Sequence, residues 1–384
     1  MLQVDKKICT DIDTESYHGA ASVPVYQTSL FTFPTFREFT EAQKKEREQY
    51  VYTRGVNPTV NVLEYKLASL ERGEQCKCFG SGMGAISSIF LSLLQNGDHV
   101  IFMNHIYGPT KELAGLLEKF GITSVFIEND PKELEAAIQP ETKMIYTESP
   151  GTMLMKVLDL QDTAAIAKRH NITSVIDNTW STPLFQKPLT LGFDITVHSL
   201  TKYIGGHSDL VGGAVIGRAD MIDHIFKDGF QLGGSVLSPH DAYLVLRGLR
   251  TLPVRLEQHE TNASHIVDYL RTKQAVKQVH HPSLYTDSAP FLSEQMLGFS
   301  GLISFELEEG GFENVSRFID SLDLFKIGVS WGGFESLVTS PLKDDNAEQL
   351  KAGGLPPDLI RLSVGLEGYE MQIQDLEQAF STIS

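Results

Sequence analysis

The chain has little that would tie it together from outside its own core. Three cysteines in 384 residues are too sparse, and odd in number, for a disulfide framework. Cys76 and Cys78 stand two apart with no second pair of ligands nearby, so they read as strand positions and no metal is expected. No run is long and apolar enough to cross a bilayer, and the opening MLQVDKKICTDIDTE lacks the apolar centre of a signal peptide. A formal charge of -17 without a basic stripe gives no footprint for nucleic acid. Internal repeats and low-complexity linkers are missing as well. These absences point to a cytoplasmic, non-membrane chain with no nucleic-acid partner.

What is present is alternation. From about residue 60 to 250, helical patterns alternate with short apolar strands at 98–103, 121–127, 144–148, 172–177 and 195–199. That order predicts an α/β fold, a mostly parallel sheet with helices on both faces. Strands near 301–307, 324–329 and 360–365, with helices between and after them, predict a smaller α+β domain at the C-terminus. Ser238-Pro239-His240-Asp241 carries the cap, first-turn proline and early acid of a long helix, and Pro253 marks a break or bend near the domain boundary. The first fifty-odd residues differ: extended aromatic segments precede a charged run at 41–48. An arm with so little core of its own is explained if it packs on another subunit. The expected division is an arm at 1–58, a large domain at 59–250 and a small domain at 251–384.

Three features carry chemistry. Lys202 follows an apolar strand, between hydroxyls and the pair Gly205-Gly206, where lost solvation favours a neutral, nucleophilic amine. Taken alone, it could equally be a lysine capping a strand end. Asp177 ends the apolar run from Ile172, at the carboxyl edge where open α/β sheets place ligands. Gly80-Ser81-Gly82-Met83-Gly84 opens a helix with apolar Ile86, Ile89, Phe90, Leu93 and Leu94, a candidate phosphate cradle that matches neither a dinucleotide fingerprint nor a P-loop. An amine, an acid and a phosphate cradle together suit a cofactor with an aldehyde, a basic ring nitrogen and a phosphate, which is pyridoxal 5'-phosphate.

With those residues in place, the chain resembles the transsulfuration (Cys/Met metabolism) family of pyridoxal phosphate enzymes. The matching pieces run in family order: Tyr52-Thr53-Arg54-Gly55-Val56-Asn57-Pro58, Ser81-Gly82-Met83, Tyr107-Gly108, Glu148-Ser149-Pro150, Asp177-Asn178-Thr179, Ser199-Leu200-Thr201-Lys202 and Arg361-Leu362-Ser363-Val364-Gly365. The resemblance implies the aspartate-aminotransferase-like fold (fold type I). It implies Lys202 as Schiff-base lysine and proton carrier, and Asp177 as partner of the ring nitrogen. Gly82, Met83, Ser199 and Thr201 would hold the phosphate, with Tyr52 and Arg54 reaching it from the neighbouring subunit of a homotetramer built from dimers that share active sites. Tyr107 would lie over the ring, Ser330 and Trp331 at the substrate, and Arg361 on its α-carboxylate. Glu148 is expected to be structural, and His207 and Asp209 to hold the loop after Lys202.

Subtype rests on finer points. Gly151-Thr152-Met153 and Ser330-Trp331-Gly332-Gly333 stand where the γ-branches usually read x-N-P and S-L-G-G, and Trp180 and Pro109 also look like bacterial cystathionine β-lyases. The expected activity is therefore cystathionine β-elimination to homocysteine, pyruvate and ammonia, with cysteine or cystine as side substrates. Alternatives are a cystathionine γ-lyase or related γ-enzyme, an aminotransferase, and a catalytically silent binding protein on the same scaffold.

Overall fold

A computed structural model describes residue 8 and residues 17–383 of the protein. Seven strands make the larger sheet: β1 (Gln75–Phe79), β2 (His99–Met103), β3 (Thr123–Ile127), β4 (Thr142–Glu148), β5 (Thr173–Asp177), β6 (Ile195–Ser199) and β7 (Gly213–Gly217), in the order β1-β7-β6-β5-β4-β2-β3. Strands β2 to β6 pair in parallel, whereas β7 runs antiparallel to both β1 and β6. Strand side chains alternate between faces. Val100, Phe102, Met144 and Tyr146 pack with Ile86, Ile89 and Phe90 of the helix Gly82–Leu93. Ile101, Met103, Ile145 and Ile176 pack with the helix Leu160–Arg169 on the other. Helices cover both faces, as the alternation predicts. Cys76 and Cys78 are buried on β1 with free thiols.

The strand β7 was not expected, because Gly213-Ala214-Val215-Ile216-Gly217 has glycine at both ends. The glycine has a packing reason: a Cβ on Gly213 would lie 2.2 Å from the carbonyl oxygen of Ser81. Only a bare backbone lets β7 approach the turn that opens the helix Gly82–Leu93.

Five strands form the second sheet: β8 (Val276–His280), β9 (Leu302–Leu307), β10 (Lys326–Ile327), β11 (Leu337–Thr339) and β12 (Leu359–Ser363), in the order β10-β11-β12-β9-β8. The strand expected over 324–329 shrinks to two residues. The carboxylate of Asp375 takes the N–H groups of Asp323, Leu324 and Phe325 at 2.7, 2.9 and 3.0 Å, ahead of the strand, and at the other side Ser330 adopts φ +80°.

The helix Pro239–Leu270 joins the two halves. Ser238 caps it by accepting the Asp241 N–H at 3.0 Å. The helix runs on through Pro253, so the proline ends nothing, and residue 250 falls inside a rigid strut. Leu246, Leu249 and Leu256 join the core around β1 and β7, while Ala263, Ile266 and Leu270 join that of the second sheet. At the other end of the chain, residues 22–29 form neither helix nor strand, and Phe36 on the helix Phe36–Gln43 is 79% exposed.

Gly213→Ala should lower the stability of the folded protein by about 1–3 kcal/mol, the usual cost of overpacking. A urea midpoint equal to the parent's would show that the Ser81 turn yields freely.

Candidate active site

Parallel strands deliver their last residues to one edge. Glu148 ends β4, Asp177 ends β5 and Ser199 ends β6, with Glu148 and Asp177 in register on adjacent strands. The helix Gly82–Leu93 begins beside them, after β1. Between these ends lies a cavity of about 220 Å3, lined among others by Gly82, Met83, Tyr107, Asp177, Ser199, Thr201, Lys202 and Trp331.

Lys202 sits in a tight turn closed by Gly205 N–H to Leu200 O at 2.9 Å and Gly206 N–H to Lys202 O at 2.8 Å. Its two glycines serve packing: Gly206 has φ +72°, and a Cβ there would strike the Arg255 guanidinium at 2.0 Å. Arg255 in turn donates to the carbonyl of Tyr203 at 2.7 Å, locking the turn to the long helix. His207 Nδ1 lies 2.7 Å from Gly205 O, in keeping with a loop-holding role. The Lys202 amine donates to the hydroxyl of Ser330 at 2.6 Å and lies 5.6 Å from the Trp331 ring centre. Burial first, then the positive charge of Arg361, lowers the amine to about 8, against a smaller opposing pull from Asp177.

Asp177 is held by its neighbour in sequence. Thr179 gives its N–H and its hydroxyl to Asp177 Oδ1 at 3.0 and 2.5 Å, and its own oxygen accepts the Ser199 N–H at 2.8 Å. Burial raises the Asp177 carboxyl, while Thr179, His198 and Lys202 oppose the rise. Behind it, Glu71 Oε1 accepts Asn178 Nδ2 at 2.9 Å and lies 2.5 Å from His198 Nε2, all three side chains fully buried. Glu71 is 107 and 127 residues from these partners, and no sequence motif announces it.

Several groups in and around the cavity await a ligand. The helix N-cap Ser81 takes the Gly84 N–H at 2.9 Å, and no acceptor meets the Gly82 or Met83 N–H among the described residues. Trp180 Nε1, buried on the cavity wall, has no partner there either. Arg361, on β12 and 8% exposed, makes no hydrogen bond or ion pair from its guanidinium among the described residues, and burial lowers it to about 10. Thr201 is partly engaged, its hydroxyl accepting the Gly212 N–H at 3.1 Å. Among the described residues, an amine, a carboxylate whose second oxygen receives no donor, unmet N–H groups at a helix start and a buried cation without a counter-anion fit pyridoxal phosphate with an amino-acid substrate.

Tyr52 and Arg54 are not in this cavity within one chain. Arg54 donates to the Gln231 carbonyl at 3.0 Å and its side-chain oxygen at 2.5 Å, and Tyr52 stays half exposed beside it.

A mixed, mostly parallel seven-stranded sheet with a lysine and an aspartate converging at its carboxyl edge defines a pyridoxal phosphate enzyme of fold type I. The profile of the Cys/Met metabolism PLP-dependent enzymes matches residues 6–381, and the chain belongs to that family. It is 39% identical to an L-methionine gamma-lyase of Fusobacterium nucleatum, over 96% of this chain and 95% of that protein. It is 40% identical to a cystathionine beta-lyase of Lactococcus lactis, over 97% of each. A cystathionine gamma-lyase structure from Lactobacillus plantarum, complexed with L-serine, superposes with a TM-score of 0.90 at 35% identity and 98% coverage of both chains. The family is shared, whereas the similarity to β-lyases that the residues at 151–153 and 330–333 suggested is matched by similarity to γ-lyases.

Acylation of Lys202 by an amine-selective reagent in the cofactor-free protein should rise with pH and reach half its maximum at about 8. Only the neutral amine reacts, and a depressed pKa makes it available at lower pH. Because Arg361 pushes in the same direction, Arg361→Gln should move the midpoint upward. A midpoint near 10.5 in the parent protein would contradict the burial argument.

Proposed function

We propose that the protein is a carbon–sulfur lyase for a small sulfur amino acid, working by γ-elimination in the manner of methionine and cystathionine γ-lyases. The observation that carries the lyase reading is Lys202, a half-buried amine that donates to one hydroxyl among the described residues, faces Asp177 and stands within the influence of Arg361. Bound pyridoxal phosphate supplies the electron sink that makes hydrogens on the substrate's α-carbon acidic.

The chain's own residues then have separable work. Arg361 binds the α-carboxylate, a planar fork for which lysine is no substitute. Asp177, pinned by Thr179, holds a proton on the ring nitrogen through charge. The N–H groups of Gly82 and Met83 with the hydroxyls of Ser199 and Thr201 cradle the phosphate. Lys202 takes the proton at the α-carbon. For γ-elimination the same amine must also serve the β-carbon, and its flexible four-carbon stem, hydrogen-bonded at the tip to Ser330, has the freedom to do so.

The named γ-lyase relatives and the γ-lyase structure support this choice. Cystathionine β-elimination is the second reading, favoured by Trp331, which lines the cavity against Tyr203, and by Thr152 in place of the usual asparagine. On either reading Tyr52 and Arg54 act on the neighbouring subunit's cofactor, in a cytosolic homotetramer of dimers with shared sites. The exposed aromatic arm supports that assembly.

Product analysis separates the two readings. Cystathionine should give 2-oxobutanoate and cysteine, with methionine also yielding 2-oxobutanoate, and pyruvate with homocysteine as sole products would instead establish the β-lyase. Lys202→Ala should lower kcat by about 10²–10⁴-fold, the usual weight of a general base. Mixing Arg54→Ala with Lys202→Ala protein under subunit exchange should restore part of the parent activity, because one site of each mixed dimer is then intact. Mixtures no more active than their components would place Arg54 outside a shared site.

A further inference from the structure

Glu148 has no part in the chemistry outlined above, yet it is buried on the cavity wall between two loops that shape it. Its Oε1 accepts the backbone N–H of Tyr107 at 2.6 Å, and its Oε2 accepts the hydroxyl of Thr152 at 2.5 Å. On the backbone side, Asn104 Nδ2 donates to the carbonyls of Glu148 at 2.8 Å and Lys156 at 2.9 Å, and the Thr152 N–H reaches the carbonyl of His105 at 3.2 Å. The segments 104–107 and 148–156 are thus fastened to each other around one carboxyl group.

The fastening is tight and costly. Asn104 is held at φ +69°, and a Cβ on Gly151 would come within 2.9 Å of its side chain. Burial, with Asp177 next to it, pushes the Glu148 carboxyl up to about 8. A group placed at such expense must be met by its hydrogen bonds, and both go to loop positions rather than to the open cavity. Tyr107 is the N-cap of the helix Gly108–Leu117 and makes no side-chain cap of its own, and Glu148 takes the N–H of this N-cap residue.

We propose that Glu148 is a positioning residue which, with Thr152, clips the Tyr107 loop to the loop after β4 and sets where the Tyr107 ring stands over the bound cofactor. The proposal rests on the reading of Tyr107 as the ring that covers the cofactor. It gives Thr152 a defined job as part of this frame, with its hydroxyl turned to Glu148.

A double-mutant cycle tests it. Thr152→Val keeps the side chain's shape and removes one bond to Glu148, and Glu148→Gln keeps its length while putting an NH2, which cannot accept, in place of one oxygen. Each is made alone and with Tyr107→Ala, and read by the dissociation constant for pyridoxal phosphate, the visible circular dichroism of the holoenzyme and Tm. Losing one such hydrogen bond should weaken cofactor binding by about 3–10-fold and alter the dichroic band, and both effects should vanish when Tyr107 is already alanine. Effects that add in full, or a fall in Tm with unchanged dichroism and affinity, would overturn the proposal and leave a merely structural clamp. Should Tyr107→Ala by itself change neither affinity nor dichroism, the reading of Tyr107 fails and the proposal falls with it. A Tyr107 effect without any effect of Thr152→Val or Glu148→Gln sinks the proposal alone.

Discussion

Charges that the protein does not neutralise by itself govern this structure. Lys202, Asp177 and Arg361 come from three different places, a turn, the end of β5 and the second sheet's β12, and meet where water is scarce. Arg361 helps to lower Lys202, Lys202 opposes the rise of Asp177, and Asp177 adds to the rise of Glu148. A buried guanidinium without an acceptor is destabilising unless a ligand anion completes it. On the proposed reading, the folded chain is built around a cofactor and a carboxylate-bearing substrate, and the stability given up here is available as selectivity for them.

Holding such groups apart requires a stiff surround, and the surround is made of close approaches. Gly248 on the long helix lies so near the Lys202 turn that a Cβ would be 2.2 Å from the Gly205 carbonyl, and Gly213 admits the Ser81 turn in the same way. Tyr203, next to Lys202, is fixed at its hydroxyl by the Gly301 N–H at 2.8 Å and at its carbonyl by Arg255. The long helix and the start of β9 thus grip the segment carrying the lysine, so the amine's position depends on how the helix and the second sheet pack against it.

Much of this was legible in the sequence, for reasons that differ from residue to residue. Strands buried on both faces are short apolar runs, so β2, β4, β5 and β6 could be read, and the acids and hydroxyls at their ends with them. Asp177 and Thr179 are two residues apart and form a local turn. By contrast, β7 was hidden because its glycines answer to a neighbour distant in sequence, and β10 was shortened by Asp375, some fifty residues away. Glu71 behind Asp177 and His198 was invisible for the same reason. Glu148 could be placed at the edge by its motif, but its acceptance of the Tyr107 N–H and Thr152 hydroxyl is a matter of how two loops fold over each other. Local chemistry is written in order along the chain, and the contacts that tune it are not.

The choice between β- and γ-elimination lies at this second level. The charged groups are common to both courses, which is why identity near 40% reaches β-lyases and γ-lyases alike. What differs is the distance over which one amine must carry protons. Trp331 narrows the space near Lys202, but its ring is packed against Tyr203, 5.4 Å between centres, and Tyr203 is itself held at both ends. That wall is fixed before substrate arrives. The movable part is the Lys202 stem, whose amine has Ser330 as its protein partner, on a residue with φ +80° that the second sheet positions. On the proposed reading, subtype is decided by whether the space between a rigid indole and a tethered amine lets the lysine reach the β-carbon as well as the α-carbon. In that proposal Trp331 would be the limit of the swing.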